Sequence, residues 1–359
     1  MTGDYMNAGP SHMREFDVGH PDLNGKVVLV TGGTGSFGQK FAETVVKRYR
    51  LRKLIIYSRD ELKQSEMRER AVFRDETCLR FFIGDVRDRD RLEMAFRGVD
   101  YVVHAAALKQ IPVAEYNPFE CIRTNVYGAE NVVTAAIRTG VKRVIALSTD
   151  KAANPINLYG ASKLASDKIF VAAKNLVGAG EPLFGVVRYG NVIGSRGSVV
   201  PYFRQLIESG ARSLPVTDKR MTRFWITLKQ GVDFVLSCLA MTRGGEIFVP
   251  KIPSMSVVDL ARVMAPKLPV QFTSIRPGEK LHEAMITEDE ARTVLELPDR
   301  YVICPMLYGE QRGYHPAEAP VADGFRYSSE SNSEWLDEAG MRRLLNEIGV
   351  PVHAAAAAE

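Results

Sequence analysis

The segment Thr31-Gly-Gly-Thr-Gly-Ser-Phe-Gly38 restricts the fold of this chain more than any other stretch. It follows the apolar run Val27–Thr31 and opens a stretch, Phe37–Tyr49, with apolar residues at helical spacing. Glycines at 32, 35 and 38 permit a tight strand-to-helix turn. They also let the backbone approach a pyrophosphate, which then faces a helix N-terminus. Further short apolar runs follow at Leu54–Tyr57, Leu79–Ile83, Tyr101–His104, Val144–Thr149 and Phe184–Tyr189. Helical patterns separate them over Arg91–Phe96, Pro118–Thr139 and Leu158–Asn175, the second introduced by Asn117-Pro118 as N-cap and first-turn proline. This alternation predicts an α/β protein: a Rossmann-type doubly wound parallel sheet, covered on both faces.

Near Gly190 the regularity stops. Residues 24–190 therefore read as the dinucleotide-binding domain, and residues 191–350 mainly as a smaller C-terminal substrate-binding lobe, some segments of which return to the first domain. Residues 1–23 and 351–359 read as flexible ends. With 47 basic and 43 acidic residues, net +4, the charge is too balanced to point to nucleic acid. Cys78, Cys121, Cys238 and Cys304 form no Cys-x-x-Cys pair and no Cys/His cluster, so neither a zinc site nor a disulfide framework is expected. No run of about 18 apolar residues suggests a membrane-spanning helix, and the N-terminus lacks a secretion-signal pattern. A reducing cytoplasm is the expected setting.

The strand ends carry the chemistry. Gly32, Thr34, Gly35, Ser36, Phe37 and Gly38 form the expected cofactor cradle. Ser58, Arg59 and Lys63 follow the second strand and suit a ribose 2′-phosphate, which favours NADP over NAD. Asp60 suits either a ribose hydroxyl or a helix cap. Asp85 and Val86 follow the third strand and suit the adenine edge, although Asp85 or Asp88 suits a helix cap equally well. Ala105, Ala106 and Ala107 follow the fourth strand and are small enough for a cofactor to lie against the backbone, with Lys109 beyond them near substrate or cofactor. Tyr159 and Lys163 stand at i and i+4 of one helix and share a face. A lysine there lowers a tyrosine pKa electrostatically and binds ribose hydroxyls. Asp150-Lys151, an acid beside an amine, ends the fifth strand, where such folds bind their ligands.

TGGTGSFG (31–38), HAAA (104–107), YGASK (159–163) and RYGN (188–191) together resemble the extended short-chain dehydrogenase/reductase family. Within it, YSRDELKQSEM (57–67), AEYNPFECIRTN (114–125), LSTDKAANPINLYGASK (147–163), RYGNVIGSRGSVVP (188–201), RMTRFWIT (220–227) and RPGEKLHE (276–283) are similar to the inverting UDP-N-acetylglucosamine 4,6-dehydratases. The nearest likeness is to the short soluble members that open pseudaminic acid biosynthesis, and it covers residues 24–335. The retaining relatives carry Asp-Glu where this chain has Asp150-Lys151.

The resemblance implies NADP as cofactor, UDP-N-acetylglucosamine as substrate and a set of roles. Tyr159, helped by Lys163 and supported by Thr149, deprotonates the carbon 4 hydroxyl as hydride leaves. Lys151 removes the carbon 5 proton, Asp150 protonates the departing carbon 6 hydroxyl, and the hydride returns to carbon 6. Lys151 is then expected to be depressed in pKa by desolvation, Lys163 and a cationic nicotinamide, and Asp150 to be raised by burial. Asn191 would bind substrate phosphate or amide, Arg223 and Arg276 the diphosphate or uridine, and Glu279 ribose hydroxyls, with Arg196 and Arg220 as secondary contacts. Cys121 either lines the pocket or is a buried small hydrophobe. Relatives pair two helices into four-helix dimer contacts and assemble further, so a homo-oligomer with a dimer as building block, up to a hexamer, is implied. Alternatives are a retaining dehydratase, a UDP-hexose 4-epimerase, or a non-catalytic dinucleotide-sensing regulator. Such regulators commonly lose the Tyr/Lys pair that this chain keeps.

Overall fold

In the computed structural model, residues 14–16, 19–178, 180–305, 313–314 and 316–350 are described. The Gly-rich segment joins β1 (Val27–Thr31) to α1 (Ser36–Arg48). There follow β2 (Lys53–Ser58), α2 (Glu61–Glu69), β3 (Leu79–Ile83), α3 (Arg89–Phe96) and β4 (Tyr101–His104). Next come α4 (Ile111–Tyr116), α5 (Pro118–Ile122), α6 (Gly128–Thr139), β5 (Arg143–Thr149), α7 (Leu158–Ala172), α8 (Lys174–Val177) and β6 (Leu183–Tyr189). These strands pair in parallel in the order 3-2-1-4-5-6. All five residues of β1 are buried, as continuous apolar strands are when helices cover both faces. The order reverses between β1 and β4, where Thr31 stands level with His104. That switch point opens the crevice in which ligands of this fold class bind.

The helical reading of 118–139 meets a break. A π turn, Arg123–Tyr127, separates α5 from α6 and buries Thr124 and Asn125. Pro118 occupies the first turn, but the Asn117 side chain does not cap it and instead donates to the Val113 carbonyl at 3.1 Å. Helices α2 and α4 are additional to the sequence reading.

Beyond Gly190 the chain forms β7 (Asn191–Val192), α9 (Val199–Glu208), β8 (Leu214–Val216), β9 (Thr222–Ile226), α10 (Leu228–Met241) and β10 (Glu246–Pro250). Then follow β11 (Ser254–Ser256), α11 (Val257–Met264), β12 (Val270–Phe272), β13 (Ala284–Ile286), β14 (Val294–Glu296), β15 (Arg300–Ile303), β16 (Ala319–Pro320), β17 (Tyr327–Ser328) and α12 (Glu338–Glu347). Several of these segments return to the first sheet. β10 pairs in parallel with β6, and β15, β14 and β16 continue outward antiparallel, giving ten strands. The lobe keeps its own apolar core, centred on Phe203, Trp225, Leu260 and Leu344.

The expectation of a flexible segment over residues 1–23 is corrected where the chain is described. Phe16 is 1% exposed and packs edge-on against Phe234 at 4.9 Å. Leu23 is buried, and the Arg14 carbonyl accepts from Gln230 Nε2 at 2.8 Å. Burial of two large apolar side chains against α10 fixes this stretch. Residues 1–13, 17–18 and the expected flexible tail 351–359 lie outside the described residues.

Candidate active site

A cleft of about 600 Å³ opens along the carboxyl ends of β1, β2, β4, β5 and β6. The cradle is built from backbone. Gly32 has φ of 64°, and a Cβ there would stand 2.9 Å from Ala106 Cα, so only glycine lets β1 and the 105–107 segment meet. A Cβ on Gly38 would meet Gly33 Cα at 2.5 Å, which sets how closely α1 approaches its own turn. Thr31 Oγ1 lies 2.8 Å from His104 Nδ1 and accepts from Ala105 N at 3.1 Å, tying the two sides together. Burial, with Lys163 nearby, pushes the His104 imidazole down to about 3, so the ring is neutral. Gly32, Thr34, Gly35, Ser36, Phe37, Gly38, Val86 and the three alanines 105–107 all line this space. The α1 N-terminus points its unpaired amides toward it. Thr124 Oγ1, on the π turn, also lines the cleft and is buried with no hydrogen-bond partner among the described residues. The residues fit a dinucleotide.

At the outer end, Ser58, Arg59 and Lys63 line the cleft together. Of the roles left open for the nearby acids, Asp60 caps α2 by accepting from Lys63 N at 3.0 Å, and Asp88 caps α3 by accepting from Arg91 N at 2.9 Å. Asp85 lines the cleft as well. Its carboxylate receives the Arg87 guanidinium at 2.7 and 2.9 Å and faces Arg59 at 3.3 Å. Burial opposes its charge, but these cations hold it below the usual carboxylate range.

The chemical end of the cleft is built from β5, a 3-10 turn over Asp150–Ala152, and the start of α7. Asn157 Oδ1 caps α7 by accepting from Gly160 N at 2.8 Å. A Cβ on Gly160 would lie 2.2 Å from the Lys151 carbonyl oxygen, so glycine after Tyr159 is what lets the helix sit on the 150–152 turn. Asp150 is wholly buried. Its Oδ1 accepts from Thr149 Oγ1 at 2.8 Å and from Lys151 Nζ at 3.0 Å, and its Oδ2 has no partner among the described residues.

Sequence reading missed a second carboxylate. Glu283, 2% exposed, places Oε1 3.3 Å from Lys151 Nζ. Its Oε2 makes no hydrogen bond among the described residues and lies 3.7 Å from Lys280 Nζ, which itself donates to the Ala153 carbonyl at 2.7 Å. Glu283 lies in the matched RPGEKLHE segment, but only folding brings the lobe segment onto the 150–152 turn. This corrects the expectation for Lys151. Burial works to discharge the amine, yet Asp150 and Glu283 outweigh it and hold the ammonium well above the ordinary lysine range.

Tyr159 also differs from expectation. Burial pushes its phenol up to about 12, opposed by Lys151 and by the Thr149 hydroxyl. Among the cations, Lys151 acts on it most strongly. Lys163 is buried one helical turn away and lowered by burial, with Asp167 opposing. Asp167, 1% exposed, accepts from Ser148 Oγ at 2.7 Å and faces Arg188 at 3.5 Å.

Of the expected substrate groups, Lys109, Asn191 and Arg196 line the cleft. Lys109 Nζ donates to the Arg196 carbonyl at 3.0 Å, and Arg196 Nη2 to the Thr34 carbonyl at 3.3 Å. Arg223 is corrected to a fastening role: its terminal nitrogens donate to the carbonyls of Thr222, Leu281 and Lys280 at 2.7 to 2.9 Å and pin the segment that carries Glu283. Arg276 is exposed and Glu279 half-buried on a loop outside the cleft lining, tethered to α7 by Asn157 Nδ2 donating to the Gly278 carbonyl at 2.8 Å. Arg220 is exposed and paired with Asp218. Cys121 is fully buried in a small cluster with Ala114 and Tyr159, 3.4 Å from Ser162 Oγ, and so packs beneath the site.

Residues 28–305 match the polysaccharide biosynthesis protein family. A Campylobacter jejuni protein named UDP-N-acetylglucosamine 4,6-dehydratase (inverting) is 54% identical over 331 residues, covering 90% of this chain and 98% of that one. A Rickettsia akari protein named UDP-glucose 4-epimerase is 42% identical over 285 residues, covering 77% of this chain and 82% of that one. The X-ray structure of Pen from Bacillus thuringiensis superposes with a TM-score of 0.84 at 35% identity, over 92% of this chain and 99% of that one.

Proposed function

The chain belongs to the polysaccharide biosynthesis protein family, and on that footing we propose that it is an inverting UDP-N-acetylglucosamine 4,6-dehydratase, a hydro-lyase that uses NADP. The observation that carries this reading is Lys151 beside Asp150 at the end of β5, within the same crevice as Tyr159. When bound between the 32–38 turn and Ala105–Ala107, the oxidised nicotinamide would supply a hydride acceptor and a positive charge. Tyr159 takes the carbon 4 hydroxyl proton, with Thr149 and Lys163 orienting the phenol and the sugar. The ketone acidifies the hydrogen on carbon 5. Lys151 removes it, Asp150 protonates the departing oxygen on carbon 6, the hydride returns to carbon 6, and reprotonation of carbon 5 from the opposite face gives the UDP-2-acetamido-2,6-dideoxy-β-L-arabino-hex-4-ulose product. Lys109, Asn191 and Arg196, which line the same cleft, would meet the diphosphate side of the substrate. Incubation with UDP-N-acetylglucosamine is expected to give a product lighter by one water. Recovery of only isomeric UDP-hexosamines would favour the epimerase reading.

Two expectations extend the proposal. The Ser58, Arg59 and Lys63 cluster supports NADP, because arginine matches a phosphate bidentately. Arg59→Ala is expected to weaken NADP binding by roughly tenfold or more in calorimetry while NAD binding changes little, as loss of one charge-assisted contact implies. Equal weakening of both would remove Arg59 from 2′-phosphate recognition. A homodimer, the building block of any larger ring, is supported by apolar side chains exposed on α4–α6 and the π turn: Tyr116 at 88%, Phe119 at 74% and Tyr127 at 55%. Phe119→Glu is expected to shift the protein to monomer in light scattering, and an unchanged mass would place the interface elsewhere. Among the described residues no helix is long and apolar enough to cross a membrane. Among the described residues the four cysteines form no disulfide, which supports a reducing, cytoplasmic setting.

A further inference from the structure

The overall reaction moves one proton from the carbon 4 oxygen to the carbon 6 oxygen, because the hydride returns to the sugar and the carbon 5 proton is replaced. Burial pushes the Tyr159 phenol up to about 12 and so favours its protonated form. A protonated phenol accepts the carbon 4 proton only if it hands on its own. The Thr149 hydroxyl acts on the Tyr159 phenol and donates at 2.8 Å to Asp150 Oδ1. Asp150 is fully buried, its Oδ2 has no partner among the described residues, and it must hold a proton before carbon 6 loses its oxygen.

We infer that Thr149 relays the carbon 4 proton from Tyr159 to Asp150, so that oxidation at carbon 4 arms the acid that expels water at carbon 6. This rests on the dehydratase reading. In the first step the O–H bond at carbon 4 breaks. The Tyr159 phenol gains that proton and gives its own to Thr149 Oγ, and the Thr149 proton passes to Asp150. The electron pair left on the carbon 4 oxygen forms the ketone as hydride leaves. In the second step the Asp150 O–H breaks, its proton joins the carbon 6 oxygen, and the carbon 6–oxygen bond breaks to release water. Lys151 Nζ takes the carbon 5 proton, and the electrons of the carbon 5–hydrogen bond form the carbon 5–carbon 6 double bond. Asp150 ends as the carboxylate it began.

One consequence concerns Lys151. Neutralising Asp150 removes the first of the two anions that hold its proton, which leaves Glu283 Oε1, 3.3 Å away, as the group to take it. The other charged groups that act on Lys151 or near it, Arg223, Lys109 and Lys280, are cations and favour that release. Elimination thus waits for oxidation.

The test uses the NADP-loaded enzyme and UDP-6-deoxy-N-acetylglucosamine, which can be oxidised at carbon 4 but has no leaving group on carbon 6. Reduced cofactor is followed by its near-ultraviolet absorbance after rapid mixing. The relay predicts that Asp150→Asn slows this oxidation by roughly 10²–10⁴-fold, the range of a lost proton-transfer partner. Thr149→Val slows it similarly and Thr149→Ser restores it. The Asp150→Asn deficit shrinks as pH rises and the phenol ionises unaided. Electrostatics alone predict the opposite sign, because the Asp150 charge raises the Tyr159 pKa. Asp150→Asn oxidising the analogue as fast as wild type, or faster, overturns the relay, as does a deficit constant across pH. Wild-type turnover of UDP-N-acetylglucosamine is scored separately, so loss of the dehydratase reading is distinguishable from loss of the relay.

Discussion

Lys151→Ala is expected to abolish dehydration while leaving oxidation at carbon 4 observable. Loss of a positioned base costs roughly 10²–10⁴-fold. With the carbon 5 hydrogen retained, the reaction halts at the 4-keto sugar, and reduced cofactor accumulates on the enzyme. Exchange of the carbon 5 hydrogen with deuterated solvent is expected to vanish. The variant also leaves Asp150 and Glu283, both buried, without the cation between them. Its melting temperature therefore falls, since an uncompensated buried charge is strongly destabilising. Cofactor binding survives, because the cradle lies on β1 and β4. Unchanged turnover would remove Lys151 from the chemistry. Loss of oxidation together with elimination would make it a partner of Tyr159 instead.

Arg188→Met is expected to have the largest effect on stability. Arg188 is completely buried beneath the site. It donates to the Met285 carbonyl at 2.9 Å and to Glu290 at 3.0 Å, and it faces Asp167 at 3.5 Å. Removing it strands Asp167, 1% exposed, in the core. Breaking a buried pair from one side costs about 3–5 kcal/mol, measurable as a lower urea midpoint. The pH dependence has a definite sign. Burial already raises the Asp167 pKa above its ordinary value, against Arg188, Lys163 and Ser148. Without Arg188 it rises further, so the folded variant holds a proton that the unfolded chain has lost. Stability then falls as pH climbs through that window, and the deficit of the variant shrinks on acidification toward about 4, the ordinary aspartate value. Adding Asp167→Asn should recover part of the loss. A deficit that is flat with pH would assign it to lost packing alone.

Much of the site lies where local pattern alone is informative. The cradle follows a strand whose five buried residues leave little ambiguity, and Tyr159 and Lys163 are fixed to one face by helical spacing. What the sequence did not reveal is tertiary. Glu283 meets Lys151 because the lobe folds the 280–283 segment against β9 and Ser329, with Arg223 fastening the carbonyls of Lys280 and Leu281. Arg223 itself looked like a phosphate ligand, since composition cannot distinguish an arginine facing a ligand from one satisfying backbone carbonyls. The charge states of Lys151 and Tyr159 depend on which groups surround them, and sequence spacing shows neither Glu283 beside Lys151 nor Lys151 beside Tyr159. The π turn at Arg123–Tyr127 left no mark in the apolar spacing of 118–139, yet it is what buries Thr124 and Asn125. Short strands such as β14 and β15 joined the first sheet from deep within the lobe, because strand pairing is set by packing and not by proximity in sequence.

Proton NMR of the product made from UDP-N-acetylglucosamine in deuterated water tests the assignment of Asp150-Lys151 most directly. The expected product is a 4-keto-6-deoxy sugar with one solvent deuterium on carbon 5 and inverted configuration at that centre. A 4-keto-6-deoxy product with the original carbon 5 configuration, or a carbon 4 epimer that has lost no water, would contradict it.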